Sequence, residues 1–182
     1  SFVVDTVYQQ DNNDKGNRAL LTVDGVDCPI YERQDFNPKW WSHKFNGPGL
    51  IYELGINILS CDLCWINGPF IPGPNNDWKI FRDYGLMDSL NRGERVVADS
   101  VYHWPAETPD GLNNNLQRLQ SLARSRHDNF NERIKAWKCL SHPWRHKRPL
   151  HSLAFRAVAI INHLETKYAR PLFRVDYDDS EE

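Results

Sequence analysis

Two short apolar runs constrain this chain more than any other feature: "RALLTV" at residues 18–23 and "RVVAD" at 95–99. Both are rich in aliphatic and β-branched residues, and each leads into an aspartate, Asp24 and Asp99. Runs of this kind read as short buried strands. An acid at the end of a core strand usually opens a turn or caps a helix. If the two strands lie side by side and parallel, however, both carboxylates emerge at one edge of the sheet. Carboxylates that close repel unless a cation sits between them. Mg²⁺ is a natural guest, because it takes one or two carboxylates together with waters and a phosphate.

The remaining elements allow that topology. "LIYELGINIL" (50–59) and "LCWINGPF" (63–70) read as an antiparallel hairpin turning at Ser60-Cys61-Asp62. The Pro- and Gly-rich loop "GPFIPGPNN" stops the second strand, and helical spacing follows from Asp77 to about Leu90, with Ile80, Phe81, Tyr84, Met87 and Leu90 on one face. Beyond Pro105, Pro109 and Gly111, helical intervals return at Leu116, Leu119, Leu122, Ala123, Phe130, Ile134 and Trp137. "HPWRHKRP" breaks that helix. A last helix is expected to turn Leu153, Ala157, Ile160, Ile161, Leu164 and Tyr168 inward. Strand, hairpin, helix, strand, helix, helix predicts an α/β fold with a mixed sheet flanked by helices. At 182 residues the chain suits one domain. Residues 1–17 form a polar lead-in, 18–173 the domain and 174–182 an acidic tail.

The net charge of −2 conceals an uneven distribution. Five acids crowd into "DYDDSEE" (176–182), whereas residues 133–164 hold seven Lys or Arg, four His and no acid. Trp137 and Trp144 are interleaved with that run. The mixture suits a solvated face or a phosphate backbone, with Arg145, Lys147 and Arg148 as the densest contacts. His142, His146 and His151 are expected at the surface. Four cysteines are too few and scattered for a secreted disulfide framework, so they read as reduced and intracellular. Cys61 and Cys64, with Cys139 and His142, offer an alternative zinc staple. No apolar run is long enough to span a membrane. The chain opens on Ser1 rather than Met, so it is expected to be part of a longer protein.

The motifs around the two aspartates sharpen the reading. "TVDGVDCPI", "PGPNNDWKIFRD" and "VVADSVYHW" occur in that order. Together they resemble the DDE superfamily endonuclease domain of Harbinger-type transposases, over about Arg18 to Phe173. Val101 stands where that family has glycine. The resemblance implies a ribonuclease-H-like fold, a nuclear location and a metal-dependent endonuclease or strand-transfer activity on double-stranded DNA. It implies Mg²⁺ or Mn²⁺, as two ions, held by Asp24, Asp99 and a third acid on the helix after the fourth strand, with Asp77 as accessory ligand. The family's helix carries Arg, three residues, the acid, six residues and Lys. Arg124, Asp128 and Lys135 fit that spacing, with Asp for the family's Glu; Glu132 is the substitute. Arg124 and Lys135 would then hold DNA phosphates. A DNA-binding partner or an upstream segment would supply target recognition. The alternative is a domesticated binding module whose catalytic site has decayed.

Overall fold

The computed structural model describes residues 19–31, 37–90, 95–98 and 114–175. Five strands form a mixed β-sheet, partly curled into a half-barrel and flanked by α-helices. They are β1 (Ala19–Pro29), β2 (Trp41–Ser42), β3 (Gly47–Asn57), β4 (Leu63–Phe70) and β5 (Arg95–Ala98). β1 and β5 are adjacent and parallel, from Ala19 opposite Arg95 to Val23 opposite Ala98. β3 lies antiparallel on the far side of β1, and β4 extends the sheet beyond β3. Strand adjacency therefore agrees with the sequence reading. The short β2, which the sequence did not suggest, pairs with the start of β3. β3 lies between strands and is buried from Gly49 through Asn57, which explains why "LIYELGIN" lacks a polar alternation.

One correction concerns the end of β1. "DG" at 24–25 reads as a strand terminus, yet the strand runs on to Pro29 with Asp24 opposite Leu54. Gly25 is not there for a turn. A Cβ on it would lie 2.3 Å from Asp77 Oδ1, so the missing side chain is what lets helix α1 (Asp77–Asp83) set its first carboxylate against the strand. The expected single helix over 77–90 is also two. α1 ends at Tyr84, Gly85 takes a positive φ of 104°, and α2 (Leu86–Ser89) restarts the coil.

The two faces of β1 look at different cores. Val23 packs with Phe81 and Leu86 of α1 and α2. Val26 and Cys28 pack with Phe130 of α3 (Asn114–Lys135), Leu140 of the short α4 (Lys138–Ser141) and Phe155 of α5 (Arg148–Tyr168). α5 is rotated relative to expectation. His151, Phe155, Val158, Ala159, Asn162 and Thr166 are buried, while Leu153, Ile160, Ile161, Leu164 and Tyr168 are exposed. The ring of Tyr52 accounts for the inversion: it stacks on Phe155 at 3.7 Å, and its hydroxyl lies 2.7 Å from His151 Nδ1. A histidine expected at the surface is thus fully buried. Asp99 and the 103–115 segment lie outside the described residues apart from 114–115 in α3, as do the lead-in and the tail from Asp176.

Candidate active site around Asp24

Asp24 follows Val23, whose partner Ala98 is the last described residue of the parallel pairing. α3 crosses above it in register. Its His127 Nδ1 lies 2.9 Å from Thr22 Oγ1, and the Asn131 amide donates to Asp24 Oδ2 at 2.7 Å. One helical turn of four residues rises about 6 Å and two strand residues about 6.7 Å, so the two contacts repeat together. The Thr22 hydroxyl donates to Ile56 O (3.2 Å), which leaves its oxygen to accept from His127 Nδ1–H. That assigns the tautomer and leaves His127 Nε2 as a buried lone pair with no partner among the described residues. Asn131 Oδ1 is likewise buried and unpartnered among them.

On the same face of α3, Arg124 and Asp128 line a pocket of about 340 Å³ with Thr22, Asp24, Ser125 and His127. Both are exposed side chains at its rim. Glu132 is exposed one turn further along and is not part of that wall. Burial pushes the Asp24 carboxyl up to about 6; Lys44 and the Gly25 N–H oppose the rise, and the charges of Asp77 and Asp128 add to it. Burial also pushes His127 down to about 3, helped by the neighbouring Arg126 charge, so its ring stays neutral. Arg126 itself is buried and donates to Ile58 O and Asn57 O.

Asp77 sits on the other face of β1, and it is not alone there. Lys44 Nζ lies 3.3 Å from Asp77 Oδ2, 3.1 Å from Asp27 Oδ1 and 3.2 Å from Gly25 O. Burial pulls the Lys44 ammonium down, but Asp77, Asp27 and Asp24 outweigh it and hold the group above its ordinary value. Ser42 Oγ donates to Asp27 Oδ2. Further in, Glu53 is fully buried and accepts from Trp65 Nε1 at 2.9 Å. Its burial lifts the carboxyl to about 7. Sequence reasoning missed Asn131, Lys44 and Glu53. Only Asn131 had a signal, because it lies one turn from both His127 and Lys135 on the helix already singled out.

The basic segment is anchored at the far end of β1. Trp144 bridges to Ile30 in parallel, donating N–H to Pro29 O (3.0 Å) and accepting from Tyr31 N (2.9 Å). Beside it the Arg148 guanidinium lies 3.8 Å over the Trp40 ring and Arg145 5.9 Å over Tyr31. Lys135, Arg145, Lys147 and Arg148 are all exposed. Five residues of strand, roughly 17 Å, separate Asp24 from Pro29.

The zinc staple does not assemble. Cys61 and Cys64 flank the β3–β4 turn, where Ile56 pairs with Leu63. Cys139 is on α4 beside the core around Cys28, which pairs with Leu50. Residues 50 and 56 of β3 are themselves about 20 Å apart. Among the described residues no three His, Cys, Asp or Glu side chains form a metal-binding group, and Asp99 falls outside them. The acidic donors lining the pocket are hard oxygens: the buried carboxylate of Asp24, whose pKa is raised, and the rim carboxylate of Asp128. Such a set fits Mg²⁺ or Mn²⁺. No family model, curated protein or solved structure matches the chain.

Proposed function

We propose that this chain is a ribonuclease-H-like, DDE-type domain that cuts or transfers DNA phosphodiesters with a divalent metal. One observation carries the reading. The parallel β1–β5 pairing is described up to Val23 opposite Ala98, next to Asp24, and α3 brings Arg124 and Asp128 to the same pocket as Asp24. Asp24 and Asp128, with Asp99 one residue past β5 in the sequence, would hold the metal. When bound, the ions supply charge neutralisation at the attacking and leaving oxygens of an in-line displacement. The chain's own residues do the rest. Asn131 fixes the rotamer of Asp24, Arg124 offers a planar fork to a phosphate, and Lys135, Arg145, Lys147 and Arg148 hold the duplex. A nuclear location and a DNA-recognition partner or upstream segment belong to the same proposal.

A second reading has a specific observation behind it. The Lys44 ammonium between Asp27 and Asp77 already neutralises the acid offered as accessory ligand. That favours a decayed site that binds DNA without cutting it. Nicking of supercoiled DNA in Mn²⁺ separates the two. Activity should be lost in Asp24→Asn, Asp99→Asn and Asp128→Asn and kept in Glu132→Gln. Mn²⁺ should also raise the melting temperature of the parent protein but not of Asp24→Asn. A parent protein that binds DNA yet shows neither effect is the decayed module.

A further inference from the structure

α5 carries an apolar stripe that the domain does not use. Leu150, Leu153, Ala157, Ile160 and Leu164 recur at alternating steps of three and four residues, opposite the buried face of Phe155 and Val158. Leu153 is 65% exposed and Tyr168, which closes the stripe, 76%. Among the described residues nothing covers it. From 150 to 168 it runs about 27 Å, the spacing is that of a helix–helix seam, and contiguous apolar patches of this kind mark interfaces.

We propose that the stripe is covered by the same helix of a second copy of this chain, running antiparallel. Charge fixes both the partner and the direction. At its N-terminal end α5 is preceded by the exposed Arg145 and Lys147 and begins with Arg148. At its C-terminal end Lys167 Nζ lies 3.1 Å from Asp62 in the β3–β4 turn. Val175 is buried against Ile58, Val97 and Ala123 at that same end of the sheet. The next residue is Asp176, the first of five acids in the last seven residues. An antiparallel pair therefore sets Val175, after which the five acids follow in sequence, at the end of the seam that carries the other copy's basic segment, whereas a parallel pair would bring the basic segments together. Seven residues reach at most about 25 Å, enough to lie along that segment. The two-fold axis passes near Ala157, whose small side chain lets the backbones approach; Leu150 then faces Leu164 of the second copy and Leu153 faces its Ile161. This inference does not rest on the nuclease reading, and its test, the oligomeric state, fails separately from it; the acidic tail and a DNA duplex would compete for Arg145, Lys147 and Arg148.

Sedimentation equilibrium on the whole chain at about 100 µM tests it, since that concentration populates any dimer with a micromolar Kd. A dimer is expected. Leu153→Glu with Leu164→Glu should give a monomer that melts where the parent does at dilutions at which the parent too is monomeric, because both side chains are exposed in the folded chain. Removing residues 176–182 should weaken the dimer about tenfold in low salt and much less in about 1 M salt, where the Debye length is about 3 Å. In a chain with Cys139 replaced by serine, Leu150→Cys mixed with Leu164→Cys should form an interchain disulfide, and Leu150→Cys alone should not. A parent chain that stays monomeric, or a double-Glu variant that stays dimeric, overturns the proposal. Cross-linking of Leu150→Cys to itself overturns the antiparallel arrangement.

Discussion

The side-chain amide of Asn131 donates to Asp24 Oδ2 across 2.7 Å, joining the long helix to the strand one residue past Val23, the last in the described parallel pairing. Burial pushes the Asp24 carboxyl up to about 6 against Lys44 and the Gly25 N–H; an N–H donated to Oδ2 favours the ionised form as well. Asn131→Leu should move the Asp24 pKa further up. A hydrogen bond to a charged group contributes about 1.5–3 kcal/mol, so the shift should be on the order of one to two pKa units. Titration of the Asp24 carboxyl carbon by NMR measures it directly. An unmoved pKa would mean that the amide serves packing alone.

Gly25 makes a second, independent test of the same region. Gly25→Ala places a Cβ 2.3 Å from Asp77 Oδ1 and 2.8 Å from its Cγ, so the Asp77 side chain must swing off its place beside Lys44, or the strand and helix must part. Overpacking of this kind costs about 1–3 kcal/mol. Urea denaturation should show that loss. Asp77→Ala in the same chain should recover part of it by removing the atoms in the way, although it also leaves Lys44 with one carboxylate fewer. A Gly25→Ala protein as stable as the parent would remove the packing reason for "DG".

Strand adjacency was legible in the sequence because β-branched runs, a hairpin turn and two helical periods leave few topologies for so short a chain. Asp24, Arg124 and Asp128 were singled out by the resemblance, whose helix spacing Arg124 and Asp128 fit, and the three line one pocket. What could not be read was which side of α5 faces inward. Hydrophobicity alone favoured Leu153 and Ile160, but the stacking of Tyr52 on Phe155 and its contact with His151 turned the helix the other way. Lys44 was equally hidden. It arrives from the β2–β3 hairpin, and its role depends on a return of the chain across the sheet that no local pattern encodes.

The pH dependence of stability should be the sum of two opposed slopes. Asp24 and Glu53 rise from 3.8 to about 6 and from 4.5 to about 7. Their protons are bound more tightly folded than unfolded, so they stabilise the fold below about pH 4 and lose that contribution as pH climbs through 6 and 7. His127 and His151 fall from 6.5 to about 3 and about 4, both chiefly through burial. Their contribution is full above 6.5 and is lost as pH falls toward 3–4. Glu53→Gln should therefore melt higher than the parent above pH 7, by an amount worth a few kcal/mol at most, and converge with it below pH 5. His151→Phe should flatten the acid side instead. Thermal melts from pH 4 to 8 decide both.

The last prediction concerns DNA. Each Lys or Arg that neutralises a phosphate releases counterions, so binding should fall linearly on a log–log plot of affinity against salt. Replacing Arg145, Lys147 and Arg148 together by Ala should reduce the slope by about 2–3. The structure adds a distinction between single residues. Arg148 lies 3.8 Å over the Trp40 ring, which orients a planar guanidinium before any phosphate arrives. A lysine keeps the charge but not the stacking or the two-pronged donor geometry. Arg148→Lys should thus leave the salt slope nearly intact yet weaken binding several-fold, and Trp40→Ala should do the same through loss of that platform. Lys147 makes no cation–π contact among the described residues, so Lys147→Arg should change little. Fluorescence anisotropy of a labelled duplex over a salt series reads all of these. Equal effects of Arg148→Lys and Lys147→Arg would mean that charge alone, and not the stacked geometry, holds the DNA.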